Sequence, residues 1–317
     1  MTAIPNPPLG DVVLARERLR DGCLFAPLVR LDVESDAEIW LKLENLQPIG
    51  SFKLRGAGNA LLSRPREELR AGAVTPSAGN MAQGVAWWAR RLGIRATAVV
   101  PEHAPAAKTL AVERLGGRVV RIPFERWWAL LDGSAVTDEP GCFVHPVADP
   151  AVIAGNGTIG MELAEALPRI DTVLVPWGGG GLSCGIATAL RELRPDARVL
   201  GCEVETATPL TTSLAAQRPM TVEYTPSFVD GIGGRSLLPS MWQLAERLIG
   251  GSAVVSLDQA RQAMRLLAAR HRVVAEGAGA VSVAAALAGH ASGVTVCIVS
   301  GGNIQADVLA DVLRTQD

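Results

Sequence analysis

Net charge is what this chain has least of: 30 lysines and arginines against 32 aspartates and glutamates leave −2 at pH 7. So balanced a chain has no field with which to gather nucleic acid or an anionic membrane surface. Long apolar runs are also missing. Charge, glycine or proline interrupts every one before the roughly 18 to 20 residues of a bilayer span. Residues 1–8 have neither a basic start nor an apolar centre, so no secretory signal is read there and the cytoplasm is the expected compartment. The five cysteines, Cys23, Cys142, Cys184, Cys202 and Cys297, are odd in number and form no C-x-x-C pair, which reads as reduced, mostly buried thiols. His103, His145, His271 and His290 show no metal-ligand spacing, and a zinc site has little support. There is no solenoid repeat and no low-complexity tract. Work on a small molecule is the class that remains.

With 317 residues, 48% of them apolar, the chain exceeds what one hydrophobic core usually serves, and two compact units are expected. The apolar pattern alternates between helical and strand periods. Helices are expected over 11–20, 53–62, 81–92, 104–115, 124–131, 156–167, 182–193, 241–248, 257–270, 281–287 and 304–313, the first capped by Asp11. Strands are expected over 28–31, 38–43, 73–75, 94–100, 118–122, 142–147, 172–175, 199–204 and 294–299, with a long loop over 206–239. Such alternation predicts an α/β protein of two domains, each an open, twisted, mainly parallel sheet with helices on both faces. Residues 1–50 with 149–317 would form the larger domain, and 51–148 the smaller.

Four stretches carry chemistry. In Gly50-Ser51-Phe52-Lys53-Leu54-Arg55-Gly56-Ala57 a lysine stands among small and apolar neighbours where an extended segment becomes a helix. Poor solvation there disfavours its ammonium form and leaves an amine able to join a carbonyl as a Schiff base. Gly178-Gly179-Gly180-Gly181 follows a continuous apolar strand and opens a helix, so its backbone N–H groups can converge on a phosphate. The run lacks the G-K-[S/T] ending of a nucleoside triphosphate loop. Gly155-Asn156-Gly157-Thr158-Ile159-Gly160 matches a dinucleotide fingerprint, yet the strand after it ends Val175-Pro176-Trp177-Gly178 without the required carboxylate, so the match is fortuitous. Ser77-Ala78-Gly79-Asn80 sits at a strand-to-helix turn suited to a carboxylate, and Ser300-Gly301-Gly302-Asn303 repeats that topology at the last strand. Read singly, each of these two turns is as well explained as an ordinary helix cap. A reactive lysine, a phosphate cradle and two polar turns together meet the needs of pyridoxal 5'-phosphate.

In this order the four stretches, with Leu182 after the glycines, resemble the threonine/serine dehydratases, pyridoxal phosphate enzymes of the tryptophan-synthase-β-like fold. The resemblance implies that Lys53 carries the cofactor as a Schiff base and Phe52 packs on its ring. Asn80 would reach the ring hydroxyl, Ser300 the ring nitrogen, and the amides of Gly178, Gly179, Gly180, Gly181 and Leu182 the phosphate. Ser77, with the loop Ala78, Gly79, Asn80 and Met81, would hold the substrate carboxylate. Gly231 matches a motif near the cofactor, and Glu276-Gly277-Ala278-Gly279-Ala280 a segment beside the substrate. The implied reaction is loss of water from a 3-hydroxy amino acid to give a 2-oxo acid and ammonia; a serine-type racemase and a non-catalytic binder are the rivals. Racemases of the family carry a serine two residues before the asparagine, where this chain has Ala78. Met81 replaces a common histidine and Trp177 a smaller residue, which hints at a bulkier substrate such as phenylserine, against the alternative that Trp177 faces the core. Relatives that bind a divalent cation use a glutamate matching Glu203, but Glu203-Val204-Glu205-Thr206 lacks the aspartate that follows it, so a metal is weakly supported. Nothing resembling a regulatory domain follows the last helix, as in the catabolic members, and a homodimer is expected.

Overall fold

The computed structural model describes residues 3–314. The chain opens with α1 (Leu9–Leu19), β1 (Leu28–Arg30), β2 (Glu38–Leu43) and α2 (Lys53–Leu62). A strand–helix alternation follows: β3 (Ala73–Thr75), α3 (Asn80–Leu92), β4 (Ala96–Pro101), α4 (Ala106–Arg114), β5 (Arg118–Ile122), α5 (Phe124–Asp132) and β6 (Cys142–Phe143). It continues through α6 (Pro150–Ala166), β7 (Thr172–Pro176), α7 (Gly181–Leu193), β8 (Arg198–Val204), α8 (Pro209–Ala216), α9 (Pro239–Leu248) and β9 (Ser252–Val255). The last elements are α10 (Leu257–Leu266), α11 (Gly277–Ala285), β10 (Val294–Val299) and α12 (Ala306–Arg314). None of the helices is long and apolar enough to cross a membrane, among the described residues.

These strands make two sheets. One has six strands in the order β1-β2-β10-β7-β8-β9, all parallel except the β1–β2 pair; the other has four parallel strands in the order β5-β4-β3-β6. The six-stranded sheet is apolar on both faces, and β10 shows why. Val296 and Ile298 enter the core built with α6, α7 and α9, while Cys297 and Val299 enter the one built with α10 and α11. Side chains alternate across a strand, so a run without polar interruption must be covered twice.

Close helix packing consumes the fortuitous dinucleotide motif. Gly155 lies within α6, where a side-chain carbon would fall 2.5 Å from the Arg55 carbonyl of α2. At Gly160 it would fall 2.7 Å from the Ile186 carbonyl of α7.

Four expectations need correction. Asp11 does not cap α1: the helix begins at Leu9 after Pro8, and Asp11 lies in its first turn. The helix expected from 156 begins at Pro150, where Asp149 accepts a hydrogen bond from Ala151 N and proline occupies the first helical position. The 206–239 stretch contains α8, and β9 has no counterpart among the expected strands. The strand expected over 142–147 is only Cys142–Phe143, because the chain turns at His145.

Candidate active site

Strand carboxyl ends are where open α/β sheets bind ligands, and here the two sheets present theirs to one cavity of about 670 Å³. Phe52, Lys53, Ser77, Ala78, Gly79, Asn80, Met81, Gly178, Gly179, Gly180, Gly181, Leu182, Gly231 and Ser300 all line it. Glu276, Lys108, Asp230, Asn303 and the aromatic residues Phe124, Trp127 and Tyr224 join them.

Lys53 is the first residue of α2, so its side chain leaves the helix at the end where the backbone dipole is positive. Its Nζ donates to the carbonyl oxygen of Pro146 at 2.7 Å and lies 5.2 Å from the centre of the Phe52 ring. Burial without a counter-charge pushes the amine down to about 8. The Pro146 carbonyl is itself placed by His145. Its Nδ1 accepts from Val147 N at 3.1 Å and from Ala148 N at 2.7 Å, leaving Nε2 to donate to the Leu131 carbonyl at 2.9 Å. That pattern requires the neutral ring, and burial holds the imidazole below its ordinary range. No sequence pattern announces this role of His145, since its partners come from the turn that it makes.

The glycine run joins β7 to α7, and most of its positions leave no room for side chains. A side-chain carbon on Gly179 would lie 2.6 Å from Val147, and one on Gly180 2.6 Å from the Trp177 ring. Gly180 also has φ +93°, the left-handed region that glycine enters at little cost. As the residue before α7 it provides no side-chain acceptor for the first amides of that helix. A line of bare amides at a helix start, open to a cavity, fits a phosphate group. Trp177 is 1% exposed in the core beneath this loop and does not line the cavity, so the expectation that it alters the pocket wall is corrected; Met81 does line it.

At the turn before α3, Ser77 Oγ accepts from Gly79 N at 3.2 Å, which shapes the loop and leaves the first amides of the helix without a side-chain cap. Asn80 Nδ2 donates to Glu276 Oε1 at 3.0 Å, and Asn80 Oδ1 accepts from Asn303 Nδ2 at 2.8 Å. Burial, and then the charge of Asp230, push the Glu276 carboxyl up to about 7. Across the cavity Lys108 of α4 pairs with Asp230 at 2.6 Å.

Glu203 lies apart from the cavity. Its carboxylate accepts from Leu210 N at 2.7 Å, Thr211 N at 2.9 Å and Thr211 Oγ1 at 2.7 Å, and so caps α8 from the end of β8. No group of three or more His, Cys, Asp or Glu side chains is placed to hold a metal among the described residues.

Known proteins share this architecture. A family model described as pyridoxal-phosphate dependent enzyme matches residues 19–301. The L-threonine ammonia-lyase of Thermotoga maritima is 40% identical over 315 residues, covering 96% of this chain and 78% of that protein. The catabolic L-threonine dehydratase of Escherichia coli strain K12 is 37% identical over 305 residues, 93% of each. Among solved structures, maize serine racemase superposes with a TM-score of 0.90 at 30% identity over 97% of each chain. The T.th. threonine deaminase gives 0.83 at 34% identity, over 94% of this chain and 99% of the other. The half-buried, desolvated lysine, the bare glycine cradle and these likenesses agree: the chain belongs to the pyridoxal-phosphate dependent enzymes, and its cofactor is pyridoxal 5'-phosphate.

Proposed function

We propose that this protein is a dehydratase of 3-hydroxy amino acids of the threonine/serine type, releasing a 2-oxo acid and ammonia. The observation that carries the reading is half-buried Lys53, whose amine desolvation lowers to about 8, in one cavity with two loops that present free amides. The relatives named ammonia-lyases and dehydratases support it.

Bound pyridoxal phosphate supplies a conjugated ring that draws electrons from Cα and makes its proton acidic. The chain provides the rest. Amides of Gly178, Gly179, Gly180, Gly181 and Leu182 would hold the phosphate, and Phe52 would pack on the ring. Asn80 would donate to the ring hydroxyl, and Gly231 would let the backbone approach. Ser300, a neutral hydroxyl, would meet the ring nitrogen without keeping a proton there, which would suit departure of the β-group together with the Cα proton. The turn of Ser77, Ala78, Gly79, Asn80 and Met81 would bind the substrate carboxylate through the amides it leaves free, Ser77 N and Gly79 N being engaged within the turn. Lys53, with its lowered proton affinity, takes the Cα proton as general base. The Cα–H bond gives its proton to Lys53 and the Cβ–O bond breaks, the leaving hydroxyl taking up one proton so that water departs with no net change in proton count; water then cleaves the carbon–nitrogen bond, so that substrate becomes oxo acid plus ammonia with no net oxidant or reductant.

Racemisation on the same scaffold is the second reading, favoured by the maize serine racemase likeness. Ala78 opposes it, since its methyl group carries no proton. Phenylserine, the bulkier substrate of the class, loses the support of Trp177 but keeps that of Met81 on the cavity wall.

We also place the protein in the cytoplasm, supported by five free cysteines of which four are buried. A division into 51–148 and the remainder is supported by the separate four-stranded sheet. A homodimer is supported by Leu24 and Phe25, 50% and 55% exposed, beside Leu46 at 46%; Gln47 ties Leu24 to this surface through two hydrogen bonds.

The test is to assay the purified holoenzyme against a panel of 3-hydroxy amino acids for oxo acid and ammonia, with Lys53→Ala as control. Turnover in the wild type, and loss of both turnover and the visible cofactor band in Lys53→Ala, is expected. Near-normal turnover by the variant would remove Lys53 from the mechanism.

A further inference from the structure

Resting on the dehydratase reading, we infer that the site is shaped for 3-hydroxy amino acids with an aryl group on Cβ, and that Phe124 and Trp127 form the wall receiving that ring. Both line the cavity, with His103 beside them. The three rings form a continuous surface: the centres of His103 and Phe124 are 5.6 Å apart, and those of Phe124 and Trp127 5.8 Å.

Phe124 stacks on its helix neighbour Trp128, ring centres 6.4 Å apart, but supports no core. It belongs to none of the hydrophobic clusters and is 36% exposed. Trp127 packs on the small cluster of Val74, Val99 and Leu130, which fixes its position next to Phe124. The pair sits on the first turn of α5, one proline after β5, so it is held by a regular element at the same strand ends as the rest of the site. Tyr224, the single tyrosine of a chain that is only 4% aromatic, also lines the cavity.

Such a wall has little to offer the hydrogen of serine or the methyl of threonine. An aryl substituent would cover Phe124 and gain ring-to-ring contact. Charge does not argue for an acidic β-group instead. Lys108, the one lysine or arginine besides Lys53 lining the cavity among the described residues, is already paired with Asp230 at 2.6 Å. The reaction is balanced as before: 3-phenylserine loses water and then takes it back as the carbon–nitrogen bond is cleaved, giving phenylpyruvate and ammonia.

Steady-state kinetics on the holoenzyme with L-threo-3-phenylserine, L-threonine and L-serine test this. Phenylserine is expected to have the highest kcat/KM, by about ten-fold or more. Phe124→Ala, which opens no core, should cut that preference several-fold. A preference for threonine or serine, unchanged in Phe124→Ala, would overturn the aryl wall while leaving the dehydratase reading standing. If no 3-hydroxy amino acid is turned over, the dehydratase reading falls by itself. The wall is then judged by titrating the cofactor absorbance: tighter binding of phenylserine than of threonine supports it, and equal or weaker binding overturns it.

Discussion

Asn80 and Glu276 lie 196 residues apart and share a hydrogen bond at 3.0 Å, from the amide Nδ2 to the carboxyl Oε1. The direction is set from the other side. Asn303 Nδ2 donates to Asn80 Oδ1 and to the Ile49 carbonyl, each at 2.8 Å, so Asn80 has only its nitrogen to offer Glu276. A side chain proposed to meet the cofactor is thus fixed in orientation by residues from three other stretches of chain, and Glu276 carries the titratable end of the network.

The Glu276 carboxyl is pushed up to about 7 from an ordinary 4.5, chiefly by burial. A folded-state value above the unfolded one means that the native protein holds its proton more tightly. The stabilisation is therefore full below the ordinary value and is lost as pH rises towards and through about 7. A shift of this size corresponds to about 3 kcal/mol lost by about pH 8. Urea unfolding of wild type and Glu276→Gln across that window should show the wild type losing stability with pH relative to the variant. Parallel curves would mean that Glu276 ionises as an exposed carboxyl does.

Gly180→Asp should weaken cofactor binding by about 100-fold or more, because it brings a negative charge to the proposed phosphate cradle. Gly180→Ala separates charge from shape. With φ +93° and the Trp177 ring 2.6 Å from the added carbon, it should cost stability and weaken binding less than aspartate does. Fluorescence titration of the apoprotein with cofactor reads both, and unchanged affinity in the aspartate variant would move the phosphate site elsewhere.

Two residues past Lys53, α2 turns its other face inward and buries Arg55 at 2% exposure. Its guanidinium donates to both Glu44 oxygens at 2.8 Å and to the Glu162 oxygens at 2.6 and 2.9 Å, while Lys42 bonds Glu162 at 2.5 Å. The same short helix thus holds an uncompensated cation in the cavity and a compensated one in the core. Arg55→Leu would leave Glu44 buried without its partner and should cost about 3 to 5 kcal/mol in urea unfolding. A loss below about 1 kcal/mol would show that water reaches the carboxylates.

What was legible in the sequence is what local chemistry dictates. The bounds of β2, α2 and β10 follow from the apolar pattern and those of β3 and β5 from Gly72 and Pro76, Gly117 and Pro123 beside them; the Ser77, Gly178 and Ser300 stretches reach the cavity because each follows the end of a strand. By contrast, α8 stands in a proline- and glycine-rich stretch and takes its cap from Glu203 of another element, which no local pattern encodes. The edge strand β9 is four residues long with Val254 exposed, too short for a period to show. The Trp177 environment, the Arg55 network and the Phe124–Trp127 wall likewise arise from packing between distant segments.

On the proposed function, Ala78 is the residue that separates elimination from racemisation. It lines the cavity within the turn proposed to bind the substrate carboxylate. Inversion at Cα requires one group to remove the proton and another, on the opposite face, to return one. Lys53 can serve the first face. In the second position the alanine methyl offers nothing to transfer, and the neighbouring Ser77 hydroxyl is turned towards its own loop by accepting from Gly79 N at 3.2 Å. Of the Asp, Glu and Lys side chains that line the cavity besides Lys53, Lys108 and Asp230 are paired with each other and Glu276 accepts from Asn80. Protonation of Cα should accordingly return only from the Lys53 side. In deuterated water, L-serine or L-threonine recovered before completion should carry deuterium, if any, with retained configuration, while oxo acid accumulates. Ala78→Ser should raise inversion relative to elimination, because it restores a proton carrier at that point. Chiral chromatography of the recovered amino acid reads the outcome: inverted isomer from the wild-type protein at a rate rivalling oxo-acid formation would establish a second acid/base and overturn the assignment of this site to elimination.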